Sequence, residues 1–208
     1  MNEYVKIPNI YKREEHGSNN LIEGSYTKPE LEYLAGLEWS WTEKIDGTNI
    51  RVIWDGYRVS FKGRTDKADT PKALLEKLEE LFGGESKEEL FENLFGQKPA
   101  ILYGEGYGGK IQSGGDYGDV NFILFDAIVD GYWLKMANVQ EIAASFGINY
   151  VPIVGSGTLD AAVEYIKSQP KSQLRNRELE GIVARPMVPL FYRNGEPIMV
   201  KIKCRDFR

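Results

Sequence analysis

The stretch Glu43-Lys44-Ile45-Asp46-Gly47-Thr48-Asn49 decides how this chain is read. It sets a lysine two residues ahead of an Asp-Gly turn, with two small polar residues behind. The preceding segment, Leu37 to Thr42, carries Trp39 and Trp41 and reads as a hydrophobic strand. A solvated charge gains nothing from the end of such a strand, whereas a nucleophile held at a pocket wall belongs there. Lys-x-Asp-Gly alone recurs by chance. Its weight comes from the downstream residues, in this order: Glu105, Phe125-Asp126, Glu180-Gly181 and Lys201-Ile202-Lys203.

Outward from that stretch, Trp39 to Lys44, Asn49 to Trp54 and Arg58 to Lys62 alternate as strands, the last two joined by an Asp55-Gly56 hairpin. Pro71 opens a predicted helix through Leu81, with Thr70 as N-cap. A second helix, Lys87 to Phe95, comes after a Gly-Gly break with Ser86 as cap. Ala100 to Tyr103 and Val120 to Ile128 are apolar runs of strand length, and Asp130-Gly131 turns the chain into Tyr132 to Lys135. Helices are expected at Ala137 to Phe146 and Asp160 to Ser168, with a strand at Tyr150 to Val154. Two last strands, Gly181 to Arg185 and Pro197 to Lys203, flank an Asn194-Gly195 turn. Residues 1–36 read as an irregular lead-in with a short helix near Pro29 to Ala35. The sum is an α+β plan, mostly antiparallel sheet with helices outside, in one domain over 1–208.

Composition narrows the function classes. Of 208 residues, 42% are hydrophobic, enough for a sizeable core, and no apolar run approaches the roughly 20 residues of a membrane helix. The start, Met-Asn-Glu-Tyr-Val-Lys, lacks a signal peptide's apolar region. One cysteine, Cys204, excludes an internal disulfide and a cysteine metal cluster, and suits a reducing cytoplasm. One histidine, His16, argues against a histidine triad or zinc site. The net charge of −5 argues against coating nucleic acid by bulk attraction, yet Arg193, Lys201, Lys203, Arg205 and Arg208 concentrate cations near the end.

The singled-out residues permit definite chemistry. A lysine attacks as the free amine, which burial and neighbouring cations favour. Strand alternation points Lys201 and Lys203 to one face, where two ammonium groups suit a phosphate chain; the plainer reading is a solvated strand face. Glu105 and Glu180, each beside a glycine at a strand end, could accept a ribose hydroxyl or hold hydrated metal, or be surface charges. Phe125 could stack on a base or fill the core. Gly104 to Gly118 is glycine-rich, which lets backbone approach a ligand, but it lacks the Gly-Lys-Ser/Thr ending of a P-loop.

Read together, Glu-Lys-Ile-Asp-Gly-Thr-Asn at 43–49, Tyr-Gly-Glu-Gly-Tyr-Gly at 103–108, Ile-Gln-Ser-Gly-Gly-Asp-Tyr-Gly at 111–118, Phe-Ile-Leu-Phe-Asp at 122–126, Glu-Gly-Ile-Val-Ala-Arg-Pro at 180–186 and Val-Lys-Ile-Lys at 200–203 resemble the covalent nucleotidyltransferase superfamily. Within it the text is most similar to ATP-dependent RNA ligases of the RNA ligase 2 type, over roughly 37 to 203.

The resemblance implies an adenylation domain of packed antiparallel sheets, with these strand ends converging on one pocket. It implies that Lys44 takes AMP from ATP as a lysyl–AMP phosphoramidate, with Mg²⁺ or Mn²⁺ bridging phosphate oxygens. AMP then passes to the 5′-phosphate of an RNA, and a 3′-hydroxyl closes the junction. It assigns Glu105 to ribose, Glu180 to metal, Phe125 to adenine, Asn49 to the leaving phosphates and Arg64 to ribose and substrate. Lys201 and Lys203 fall to the phosphates, and the backbone of Glu43 and Ile45 to the adenine edge.

With only five residues after Lys203, the expectation is a chain without the family's C-terminal accessory domain, whose sealing step would be weak, need a partner protein or rely on residues 1–36; a monomer in a bacterial or phage-infected cytoplasm is also expected. A DNA ligase-like or capping-type enzyme is the alternative, as is an idle nucleic-acid binding module. Such a module would not need Lys44, both glutamates and both distal lysines together.

Overall fold

A computed structural model describes residues 3–15, 20–112 and 114–208; His16 and Ser113 lie outside the described residues. The chain divides into two compact units. The terminal unit holds Val5–Ile45 and Pro152–Arg208. The inserted unit holds Asp46–Val151 together with the segment ending at Tyr4. Antiparallel sheets with five helices among the described residues make the α+β plan expected. No helix of the described residues is long and apolar enough to cross a membrane.

In the inserted unit, β4 (Thr48–Trp54), β5 (Val59–Gly63), β6 (Ala100–Tyr107), β7 (Asn121–Val129) and β8 (Tyr132–Trp133) form a sheet in the order β5-β4-β6-β7-β8. A short β9 (Asn149–Tyr150) pairs parallel to β7. Alternation sends Ile50, Val52, Trp54, Leu102, Phe122 and Leu124 to one face. Helices α2 (Lys72–Phe82), α3 (Glu85–Phe95) and α4 (Met136–Phe146) cover that face. Leu74, Leu78 and Phe82, one helical turn apart, form the buried stripe of α2.

Gly104 and Gly106 of β6 serve this packing. A Cβ on Gly104 would stand 2.1 Å from the Phe122 ring, and one on Gly106 would stand 2.3 Å from Leu74 Cδ2. These two glycines therefore admit helix and ring, correcting the reading of the whole glycine-rich run as a ligand loop.

The expected N-caps are also corrected. Pro71 precedes α2, and neither α2 nor α3 has a side-chain cap. Gly84, at φ 88°, breaks the chain early enough that Ser86 falls inside α3, and Glu85 and Glu88 face the helix N-terminus instead.

In the terminal unit, β3 (Trp39–Glu43), β10 (Ile153–Gly157), β11 (Gly181–Pro186) and β12 (Val200–Lys203) form a sheet in the order β10-β3-β11-β12. Trp39, Trp41, Ile182, Ala184, Val200 and Ile202 are buried with Leu159, Ala162, Val163 and Ile166 of α5 (Leu159–Lys167). Thr158 caps α5, its hydroxyl accepting from Ala161 N–H at 3.2 Å.

The lead-in is more ordered than its mixed composition suggests. It supplies β1 (Tyr11–Arg13), β2 (Leu21–Tyr26) and α1 (Pro29–Leu34), with Tyr11 and Tyr26 in edge contact at 5.2 Å. Its backbone also borders β12: Ile10 N–H donates to Lys201 O at 3.2 Å, and Lys201 N–H donates to Pro8 O at 2.9 Å. The single strand expected over Tyr150 to Val154 is two strands in different sheets. Pro152, which has no N–H for a ladder, lies between them.

Candidate active site

In the terminal unit, β3 pairs with β11 so that Glu43 lies opposite Ile182 and Thr42 opposite Val183. Glu43 therefore shares the α5-covered face with Ile182. Lys44, one residue on, belongs to the other face, where β12 presents Lys201 opposite Val183 and Lys203 opposite Gly181. The N–H of Lys44 donates to Gly181 O at 2.9 Å, fixing its backbone to the start of β11. Gly181 must be glycine: a Cβ would stand 2.2 Å from Ile202 O. That close approach, with Cys204 N–H donating to Glu180 O at 3.0 Å, seats Glu180 beside β12.

The side chains meet there. Lys44 Nζ donates to Glu180 Oε2 at 2.6 Å, and Lys203 Nζ stands 3.8 Å from Glu180 Oε1. Side-chain exposures of 26%, 22% and 17% for Lys44, Glu180 and Lys203 leave this trio reachable yet partly desolvated, which strengthens charge interactions over those in water. Lys201 stands two residues along the same strand and face.

Glu43 does something the sequence did not announce. Its buried carboxylate accepts from the Ser172 hydroxyl and from Gln173 N–H at 2.9 Å. Ser172 Oγ in turn accepts from the N–H groups of Leu174 and Arg175 at 3.0 and 3.1 Å. The Glu43 N–H is committed to Pro152 O at 2.8 Å. Glu43 is thus the anchor of the 172–175 loop, and its N–H is not the group that meets a base. Ile45 is buried, at the end of the terminal unit's first segment. Cys204 is packed in the core, where burial pushes its thiol up to about 11 and away from the reactive thiolate.

The inserted unit carries the other named residues. Asn49 on β4 lies opposite Glu105 on β6. Among the described residues, Asn49 Oδ1 is buried without a hydrogen-bond partner. Gly47 packs the Asp-Gly turn against β6; a Cβ there would stand 2.2 Å from Gly106 O and 2.8 Å from Glu105 Cγ. Asp46 N–H donates to the Tyr117 hydroxyl at 3.1 Å, tying that turn to the glycine-rich segment.

Arg51, two residues beyond Asn49 and fully buried, was not singled out in the sequence. Its Nε donates to Gly63 O, and its terminal nitrogen to Asp66 Oδ1, both at 2.9 Å. These bonds bracket Arg64, which is exposed. The Arg51 bond and the Lys62 amine hold the Asp66 carboxyl below the usual carboxylate range.

Phe125 owes its direction to a β-bulge. Tyr103 pairs with Asp126 but Gly104 with Leu124, so Phe125 is the extra residue of β7. Its half-buried ring meets Tyr4 edge-on at 4.9 Å. Tyr4 also donates its hydroxyl to buried Asp126 Oδ2 at 2.8 Å. Burial pushes the Tyr103 phenol up to about 12, with Arg51 opposing and Asp126 adding to the rise. Arg51 and Tyr4 lie outside every motif, and the partner of Asp126 is 122 residues away. For Arg51, its period-2 spacing from Asn49 was the available signal.

No group of three or more His, Cys, Asp or Glu is arranged for a metal ion among the described residues. Glu180 alone fits a cation that keeps waters and takes its remaining oxygens from phosphates, the habit of Mg²⁺.

Comparison with known proteins bears on the family and the fold. The family model described as RNA ligase matches residues 37–203. In fold, the chain is similar to solved forms of the Naegleria gruberi RNA ligase. An apo form of one mutant gives a TM-score of 0.68 at 18% identity, over 98% of this chain and 56% of that one. The form with PPi gives 0.68 at 20%, over 96% and 55%. A mutant with ATP and Mn gives 0.64 at 20%, over 84% and 51%. The chain spans about half the length of these structures.

Proposed function

Because this chain belongs to the RNA ligase family, we propose that it is an ATP-dependent RNA ligase working through a lysyl–AMP on Lys44. The observation that carries this reading is the trio Lys44, Glu180 and Lys203 on one sheet face, with Lys201 beside it. The solved N. gruberi ligase forms with ATP and Mn, with AMP and Mn and with PPi support the choice of nucleotide and metal.

In the first step, Lys44 Nζ attacks the α-phosphorus of ATP. The N–P bond forms as the bond to the pyrophosphate oxygen breaks, and the amine proton passes to solvent. Glu180, in contact with Nζ, orients the amine. Lys201 and Lys203 neutralise the charge that grows on the phosphate oxygens, the largest task in phosphoryl transfer. Glu180 would hold a divalent metal, which would supply further neutralisation of the phosphate charge.

In the second step, a 5′-phosphate oxygen of RNA attacks the phosphoramidate and Lys44 leaves, regaining its proton. In the third, a 3′-hydroxyl attacks the activated 5′-phosphorus and AMP leaves. Phe125 offers a ring face to adenine, Glu105 accepts from the ribose, and Asn49 Oδ1 accepts from a ligand or its hydration shell. Exposed Arg64 meets substrate phosphate or ribose. With the Glu43 N–H committed to Pro152, the Glu43 carbonyl and the Ile45 backbone serve the base edge.

The test is joining of a 5′-phosphorylated RNA to a 3′-hydroxyl end with ATP and Mg²⁺. Expected are an AMP-capped RNA intermediate and a joined strand, both absent when the 5′-phosphate is removed. Formation of neither species from any strand pairing, by protein competent to bind ATP, would contradict the reading.

A further inference from the structure

A cavity of about 420 Å³ opens in the terminal unit, lined by Asn9, Arg13, Lys201, Lys203, Arg205 and Asp206. That volume lies within the range of small-ligand pockets, about 300–1,000 Å³. Its walls carry four cations and one carboxylate, on a chain whose net charge is −5. Charge this concentrated does not arise from average composition, and it selects for an anion.

The cavity is built by two segments distant in sequence. The backbone of Pro8 to Ile10 runs along β12, with Asn9 bridging to Lys201, and delivers Arg13 to the same side. The turn Cys204–Phe207 delivers Arg205 and Asp206. Asp206 then orders both arginines through one oxygen. Arg13 donates to Oδ1 at 2.5 Å, and Arg205 Nε stands 3.9 Å from it. With its side chain 6% exposed, Asp206 serves as a fixed brace. Two guanidinium groups braced beside two lysines are suited to a phosphate, which takes paired N–H bonds from each fork.

We propose that this cavity is a second phosphate subsite, in which Arg13 and Arg205 bind a phosphate group other than the one Lys44 attacks. The proposal deepens the ligase reading and rests on it for the ligand's identity. Lys203 belongs to both places: it lines the cavity and stands 3.8 Å from the Glu180 carboxylate that contacts Lys44. A phosphate in the cavity therefore sits close to the reacting centre. Two sources share this chemistry, the pyrophosphate half of ATP and the 5′-phosphate of an RNA end.

Full-length chain carrying Arg205→Ala or Arg13→Lys tests it. Arg205 is largely exposed, so its truncation spares the fold, and Arg13→Lys keeps the charge facing Asp206 while removing the fork. Calorimetric titration with inorganic pyrophosphate needs no catalysis, and each variant is expected to bind it about tenfold more weakly, the loss of one charge-assisted pair.

If the source is ATP, the concentration giving half-maximal AMP attachment rises by a similar factor. If it is the RNA end, AMP attachment is unchanged and transfer from adenylated protein to 5′-phosphorylated RNA falls about tenfold. Variants that match the parent in pyrophosphate affinity, ATP uptake and AMP transfer overturn the subsite. Pyrophosphate binding that depends on Arg205, in a chain that never acquires AMP, would instead keep the subsite and remove the ligase reading.

Discussion

The two units carry different kinds of functional surface. On the sheet face away from α5, the terminal unit sets Lys44 on Glu180 and Glu180 near Lys203, and beside them Arg13 on Asp206. The inserted unit instead offers a buried acceptor, Asn49 Oδ1, and an aromatic group of Tyr4, Tyr103, Phe125 and Trp133. Charge pairs that remain partly solvated can re-form around a phosphate whose charge changes during reaction. Rings and desolvated amides cannot follow charge; they fix where a base and a sugar lie. Under the proposed function, this contrast gives rate to the terminal unit and nucleotide affinity to the inserted unit.

The sharpest way to break that assignment is Lys44→Arg. Arginine can keep the ion pair with Glu180 but does not present a free amine. AMP attachment should fall by at least about a thousandfold, with the unfolding midpoint nearly unmoved, as measured by radiolabel transfer and urea titration. Glu180→Gln should come next, lowering the maximal attachment rate about a hundredfold and raising the Mg²⁺ needed for half-activity. In contrast, Phe125→Ala should raise half-saturating ATP about tenfold with little change in maximal rate. A main effect on rate, or a stability loss of several kcal/mol, would erase the distinction between the units and make Phe125 a core residue.

Smaller effects refine the contrast. Glu43→Gln weakens the bonds that hold the 172–175 loop and should cost about 1–3 kcal/mol of stability, with attachment rate per folded molecule kept. The Tyr103 phenol, raised in the fold to about 12, contributes stability that is complete below the ordinary tyrosine range, about 10. That contribution is lost as pH rises from about 10 towards about 12. Tyr103→Phe should therefore flatten part of the alkaline decline in stability, read by thermal melts across that window.

Much of this was legible because it is local. The strand before Lys44, the Asp-Gly turn, the period-2 pairing of Lys201 with Lys203 and most helix stripes arise from neighbours in sequence. What escaped depends on partners far away. Tyr11 and Tyr26 become strand residues because each finds the other across β1 and β2. Phe125 turns because a bulge forms only against β6. Glu43, beside Lys44 in sequence, faces away from it because alternation gives its carboxylate to Ser172 and Gln173. Gly104 and Gly106 answer to Phe122 and Leu74, contacts that no motif records.

The most direct test of the central claim is the intact mass of the protein before and after incubation with ATP and Mg²⁺, with peptide mapping of any adduct. Expected is the addition of one AMP, located on Lys44, or the same adduct already present in the starting protein and released by pyrophosphate. An adduct mapped to any other residue, or an unmodified mass in both samples, would contradict it.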